Sequence, residues 1–348
     1  MTEPRLLTAG QVDPEQLHGF LERFFGPVKA AFLRDHGAWW HRGEDNRMVL
    51  TVEGEVAGYC AVIPTRCQVG DRSLDAVWWM DLVIDPKFRG QRLQSLLDVE
   101  VRRRSELLLG FPNALAAVIH RKHGWGVRED LASLVAPLRP LGLNAVRRTT
   151  GLKGVAVRGV AALAAGPFRL RRALLAGRDE DGELVRREVA PSAPELARIA
   201  RLQEPSITAI RDADFLRWRY LEAPVRDQLR IFTAGPAGQP RVAAILRLLP
   251  PELGGAARLL DVFGELRRDE MVLPLLRRIV CHGAAMGAPQ ITALAAHSRL
   301  ARQLRRSGFW LRGPARFCWW SGDAEIMRLI AQGNHHWVVG DSDHDEPR

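Results

Sequence analysis

The residues with the clearest chemical potential lie in Trp78–Gln94, WWMDLVIDPKFRGQRLQ. An apolar run stops at Asp85-Pro86, a short basic loop follows, and a helix is predicted to begin near Gln91. A loop feeding a helix N-terminus offers unpaired backbone N–H groups and the positive end of the helix dipole, a natural seat for pyrophosphate. Arg89 adds a fixed guanidinium able to grip a phosphate bidentately. A second stretch is Gly110–Trp125, GFPNALAAVIHRKHGW. Asn113 follows a proline and opens a helical run, so it reads as an N-cap. His120 stands two turns further along that helix, near the same face. Each residue also has a structural reading: Arg89 on a solvated loop, His120 as an ordinary structural or exposed histidine.

The elements that must position these residues occur twice. The first set runs from Trp40 through strands Met48–Val52, Glu55–Ile63 and Ala76–Ile84, then a basic loop, a helix, the strand Leu107–Gly110 and a helix ending at Gly124-Trp125. The second runs from Trp218 through strands Leu229–Thr233, Val242–Leu248 and Arg258–Phe263. It continues with the helix Glu270–Met286, the strand Gln290–Ala295 and a helix ending at Gly308-Phe309. Matching order and spacing predict a duplicated α/β module. Helical periodicity supports the reading, through Leu93, Leu96, Leu97 and Val101 in one half and Leu275, Leu276, Ile279 and Val280 in the other. The expected layout is a module over 1–136, a basic Ala/Gly-rich linker with amphipathic helices over 137–189, a second module over 190–333, and a fraying acidic tail over 334–348.

The two stretches together resemble the GNAT superfamily of acyl-CoA N-acyltransferases. Ile84-Asp85-Pro86 stands at its V-x-P, and Arg89-Gly90-Gln91-Arg92-Leu93-Gln94 at its phosphate loop. Asn113 and Ala116 match N-x-x-A, His120 falls where the family's Tyr acid lies, and Gly124-Trp125 matches the terminal G-[FY]. Arg92 and Gln94 depart from the pattern by replacing the two small residues that close the loop. The G-F-P-N segment at Gly110–Asn113, and Trp218-Arg219-Tyr220 followed by Pro224, are similar to tandem GNAT-type proteins of bacterial polysaccharide assembly. The second half carries GELRRD at Gly264–Asp269, His297 in place of the Asn and Leu304 in place of the Tyr. The resemblance therefore implies two GNAT-like modules, each a mixed central sheet flanked by helices, with the second degenerate and shaping a cleft or a dimer surface.

It also implies a chemistry. Acetyl-CoA, or another acyl-CoA, would donate an acyl group to a primary amine of a small molecule or sugar precursor, with no metal. Leu82, Val83 and Ile84 would present backbone N–H groups to the donor carbonyl. Arg89, Gly90, Gln91, Arg92, Leu93, Gln94 and Asn113 would hold the coenzyme. Asp81, the nearest carboxylate on the strand, is the candidate base, with burial beside Trp78, Trp79 and Met80 raising its pKa. Asp261 occupies the equivalent place in the second half, which favours a shared structural role. His120 is the candidate acid for the leaving thiolate. The paired tryptophans read as core. His335, His336, Asp341 and His344 read as a solvated tail rather than a metal site.

Composition bounds these readings. The chain has 348 residues, 47% hydrophobic and 26% charged, which excludes collagen-like, coiled-coil and wholly disordered classes. Four cysteines without CxxC spacing, and no signal-peptide pattern, point to a reducing cytoplasm. The net charge is +10, and Leu131–Arg178 holds nine basic residues and no acid. That segment either packs across both modules or lies on an anionic membrane surface, which would make the protein peripheral to the inner membrane. Nucleic acid is not the expected partner. Two other functions stay open: a FemAB-like aminoacyltransferase using aminoacyl-tRNA, and a non-catalytic binding protein on the same frame.

Overall fold

The computed structural model describes residues 3–139, 166, 185–189, 191–204 and 207–342. In the first half, β1 (Arg5–Thr8) is followed by α1 (Pro14–Phe25) and α2 (Pro27–Trp40). The Asp13 carboxylate caps α1 by accepting from the Gln16 N–H at 3.0 Å, with Pro14 opening the helix. Then come β2 (Arg47–Val52), β3 (Glu55–Val69), β4 (Arg72–Ile84), α3 (Leu93–Arg103), β5 (Leu107–Gly110), α4 (Ala114–Lys122) and β6 (Gly126–Pro137). The β2–β3 hairpin turns at Glu53-Gly54, whose φ values of +55° and +82° suit a tight two-residue turn.

After β7 (Val185–Val189), α5 (Ala193–Ala200), β8 (Ile207–Ala209) and α6 (Ala213–Leu216), the pattern repeats. The second set is β9 (Leu229–Gly235), β10 (Val242–Leu248), β11 (Ala257–Gly264), α7 (Asp269–Ala285), β12 (Gln290–Ala295), α8 (Ser298–Arg306) and β13 (Trp310–Trp320). The described chain closes with α9 (Ala324–Gln332) and β14 (His335–His336).

Both halves have the same wiring. β2, β3 and β4 are antiparallel neighbours and β5 joins β4 in parallel; β9, β10, β11 and β12 do the same. The halves are nevertheless not separate beads. The last strand of each lies against the other: β13 pairs with β5, β6 pairs with β12, and β6 and β13 pair together. One continuous sheet results, in the order β1-β2-β3-β4-β5-β13-β6-β12-β11-β10-β9-β7. Trp39 and Trp218 stitch the halves again by donating their indole N–H groups to each other's carbonyls, at 3.3 and 2.9 Å.

Helices cover both faces of this sheet. On α3 the i, i+4, i+8 row of Leu93, Leu97 and Val101 is buried. Leu96, expected on that face, is 42% exposed because it falls one step off the row. On α7, Leu275, Leu276, Ile279 and Val280 are all buried, as their periodicity predicts. The opposite face carries a core that runs through both halves and includes Trp40, Trp78, Phe263 and Trp337.

Two expectations are corrected here. The tail does not fray over its described part, since residues 335–342 are buried. The apolar run Trp337-Val338-Val339 drives this burial. Trp337 packs edge-on to Trp78 with centroids 5.4 Å apart, and β14 pairs with β8. The segment Leu131–Arg178 also cannot face a membrane throughout, because Leu131–Pro137 belongs to β6 in the middle of the sheet. Residues 140–165 and 167–184, with most of the predicted linker and its arginines, lie outside the described residues, whereas 185–189 form an edge strand against β9. Among the described residues no helix is long and apolar enough to cross a membrane.

Candidate functional site

The site begins where two parallel strands part. β4 and β5 pair only at Ala76–Leu107, Val77–Leu108 and Trp78–Leu109. Two residues later β4 bulges: Met80 lies opposite Ala61 and Val83 opposite Tyr59, so Asp81 and Leu82 together face a single position on β3. Asp81 takes a left-handed φ of +56° to accommodate the extra residue. The bulge bends β4 away from β5, and Leu82, Val83 and Ile84 form one wall of the cleft that opens.

The far end of this cleft is the basic loop. Asp85 turns the chain by accepting from the Lys87 N–H at 2.9 Å and pairing with Arg23 at 3.2 Å. Phe88 is buried and anchors the loop on the sheet. Gly90 has φ +83° and Arg92 φ +59°, and α3 starts at Leu93. The loop therefore keeps a left-handed turn at the departure from the family pattern, with an arginine in a conformation that favours glycine. Arg89, Gly90, Arg92, Leu93 and Gln94 line this end; Gln91, also predicted for the site, does not. The whole outer cleft is about 660 Å³, and no acidic residue lines it. The first N–H groups of α3, two exposed arginines and the lack of acids fit a pyrophosphate group.

α4 forms the opposite wall. The Asn113 side chain caps it by accepting from the Ala116 N–H at 2.9 Å, as predicted. In the last turn of the helix, His120 lies between Trp79 and Trp125, with centroids 5.6 and 4.5 Å away. Burial pushes its pKa down to about 4. At neutral pH His120 is thus an uncharged imidazole, a hydrogen-bonding group rather than a proton-loaded imidazolium. Leu82, Asn113, Ala116 and His120 also border a second, inner cleft of about 240 Å³ between the parted strands. Trp79, Leu109, Gly110, Trp125 and Cys318 are among its other lining residues. Trp125 and Cys318 lay outside the sequence-predicted site. Cys318 in particular comes from β13, some 200 residues further along the chain and brought in only by strand exchange.

Asp81 borders the inner cleft, but its carboxylate is held by the Lys29 ammonium of α2. Both side chains are buried, 4% and 8% exposed. This pair lies on the face of the sheet that carries Trp78 and Met80, while His120 sits on the face of Trp79. The two predicted catalytic side chains are therefore on opposite faces. Asp261 repeats the arrangement, bound by Arg211 at 2.8 Å and by the Tyr220 hydroxyl at 2.9 Å. Equivalent strands thus carry equivalent buried ion pairs, which supports the structural reading of both aspartates.

The second half is built differently at the matching place. Asp269 occupies the start of α7, accepting from Gln303 Nε2 at 2.8 Å and from Arg306, so a carboxylate already stands at that helix N-terminus. β11 and β12 pair only at Ala257–Ile291 and Arg258–Thr292. Beyond that point the C-terminal residues pack against both strands, and the Ala296 N–H donates to the Trp337 carbonyl at 3.2 Å. His335 is engaged by the Ile330 carbonyl and by the Trp337 indole at 3.1 Å. Among the described residues no group of three or more His, Cys, Asp or Glu could hold a metal ion.

Two sets of three antiparallel strands with a parallel fourth, joined through their last strands, define a GNAT-like fold, and in the first half a bulged strand parts from its parallel neighbour above a loop–helix junction. Solved structures share it across most of the chain. A GCN5-related N-acetyltransferase from Anabaena variabilis is 15% identical, with a TM-score of 0.58 over 91% of this chain and 72% of that one. Saccharomyces cerevisiae N-myristoyltransferase with bound myristoyl-CoA is 12% identical, with a TM-score of 0.62 over 92% and 78%. A GCN5-related N-acetyltransferase from Kribbella flavida is 14% identical, with a TM-score of 0.55 over 93% and 73%. At these identities the likeness is one of fold. No family model matches the sequence, and no curated protein matches it.

Proposed function

We propose that the protein is an N-acyltransferase that moves an acyl group from coenzyme A to a primary amine, using the cleft of the first half. The carrying observation is that two neighbouring cavities share lining residues: an acid-free outer cleft ending at the N-terminus of α3, and an inner cleft between β4 and β5, have Leu82, Asn113, Ala116 and His120 in common. Bound coenzyme A would supply an activated thioester. Arg89, Arg92 and the first N–H groups of α3 would bind its phosphates. The unpaired edge of β4 at Leu82–Ile84 would orient the donor and polarise its carbonyl. The neutral His120 would hydrogen-bond at the junction. Asp81, held by Lys29, would fix the bulge rather than take the proton of the amine. The acceptor class follows from the resemblance to polysaccharide-assembly proteins: a small molecule or sugar precursor bearing a primary amine.

The test is calorimetric titration of coenzyme A and acetyl-CoA into the intact protein. Binding at one site per chain supports the reading. No binding overturns it and favours the non-catalytic alternative, or the aminoacyltransferase if tRNA binds with strong salt dependence. Two sites per chain would contradict the assignment of the second half as a degenerate copy. Contact of the basic segment with anionic membranes is a separate proposal, decided by flotation with anionic and neutral liposomes at low and high salt.

A further inference from the structure

The inner cleft is much larger than an acetyl group. Its volume is about 240 Å³. A cavity of ~150 Å³ holds a benzene ring, and a methyl group takes a share similar to one water, ~30 Å³. An acetyl donor would leave most of this space empty.

Its place is as informative as its size. A donor with its phosphates at Arg89–Gln94 and its extended arm along Leu82–Ile84 would reach the junction at His120 and point onward between β4 and β5. The side chains it would meet beyond the junction include Trp79, Leu109 and Trp125, all apolar and buried. No cation lines this cleft, the one bordering carboxylate is held by Lys29, and His120 is uncharged. Asn113 and His120 are the polar side chains at the junction, and apolar carbon beyond it gains from leaving water against the aromatic and aliphatic side chains there.

One pair of lining residues joins the two halves. Gly110, at the end of β5, lies opposite Cys318 of β13. A Cβ at position 110 would stand 3.2 Å from the Cys318 sulfur and 3.4 Å from the Trp79 carbonyl oxygen. The absence of a side chain at Gly110 and the small thiol at Cys318 leave room in the cleft, so the exchanged strand of the second half limits the space of the first-half site. Cys318 is itself inert, since burial pushes its thiol well above the ordinary range.

We infer that the donor acyl group is apolar and larger than acetyl, a chain of about five to eight carbons or an aromatic acyl of similar volume, and that Gly110 and Cys318 set its length. The inference rests on the acyl-CoA reading above. Its test is calorimetry of the intact protein with free coenzyme A and its acetyl, butyryl, hexanoyl, octanoyl, benzoyl and palmitoyl thioesters. Hexanoyl-CoA is expected to bind at least tenfold more tightly than acetyl-CoA, with palmitoyl-CoA falling off again. Cys318→Leu, which adds bulk to the lining, is expected to collapse the hexanoyl-to-acetyl ratio towards one, and Cys318→Ala to move the optimum to a longer chain. Equal binding of acetyl- and hexanoyl-CoA by the unmodified protein overturns the inference and leaves the acyltransferase reading standing. Failure of every thioester and of free coenzyme A overturns both. The unmodified series decides the matter even if a Cys318 variant does not fold.

Discussion

The Lys29 ammonium holds the Asp81 carboxylate in a buried ion pair at the bulge where β4 leaves β5. A charge at this depth is tolerated because its partner is buried beside it. Removing one partner strands the other. Lys29→Met is expected to destabilise the fold by roughly 3–5 kcal/mol, and Lys29→Met with Asp81→Leu to recover much of that loss. Urea denaturation of both variants reads the difference. A single variant as stable as the parent would remove the pair from its structural role and return Asp81 to the list of possible bases.

Arg89 is exposed at the loop end of the outer cleft, with only a 3.4 Å bond from its Nε to the Ile84 carbonyl among its described contacts. Its guanidinium is available for an anion. Arg89→Ala is expected to cost about 1.5–3 kcal/mol of coenzyme binding, about tenfold or more in affinity, with little change in stability. Calorimetry with coenzyme A checks it, and unchanged affinity would displace the phosphate site.

Arg92 adopts a left-handed φ of +59° just before α3. A non-glycine residue is disfavoured there by roughly 1–2 kcal/mol. Arg92→Gly is therefore expected to raise stability by about 1 kcal/mol, after allowance for the freer unfolded chain. A drop in melting temperature would show that Arg92 makes a contact outweighing its backbone strain.

His120 and His335 are each pushed by burial to about 4, below the ordinary histidine value. The unfolded chain then binds more protons than the folded one between about pH 6.5 and pH 4. Both residues contribute stability that is complete above about pH 6.5 and lost as pH falls towards 4. Chemical-shift titration of the histidines is expected to show neither becoming charged between pH 8 and pH 5. A midpoint near 6.5 for His120 would restore its reading as a proton donor.

Trp337 lies in the core against Trp78 and Phe317, with centroids 5.4 and 5.5 Å away, and Asp341 accepts from Arg211 at 2.8 Å. Trp337→Ala is expected to cost about 3–5 kcal/mol. Truncation after Asn334 is expected to cost at least as much, because it also leaves Arg211 with one fewer buried carboxylate. Thermal denaturation separates this from a solvated tail, whose removal would change nothing.

Much of this architecture was written locally. The alternation and turn residues around Glu53-Gly54, the helical rows of α3 and α7, and the Asn113 cap depend on neighbours within a few positions, so the sequence alone determined the duplicated order of elements and the basic loop that leads into α3. What it could not carry were relations between residues far apart in the chain. The exchange of β6 and β13 is a choice of sheet neighbour that strand patterning leaves open. Cys318 at the inner cleft follows from that exchange, and Lys29 as the partner of Asp81 follows from the packing of α2 on the sheet. The neutral state of His120 is also a matter of packing, since the charge of a titratable group is set by what removes it from water, here Trp79 and Trp125. The burial of Trp337 is of the same kind: only the tertiary structure shows that the second half's parted strands leave a place for the chain's own C-terminal residues.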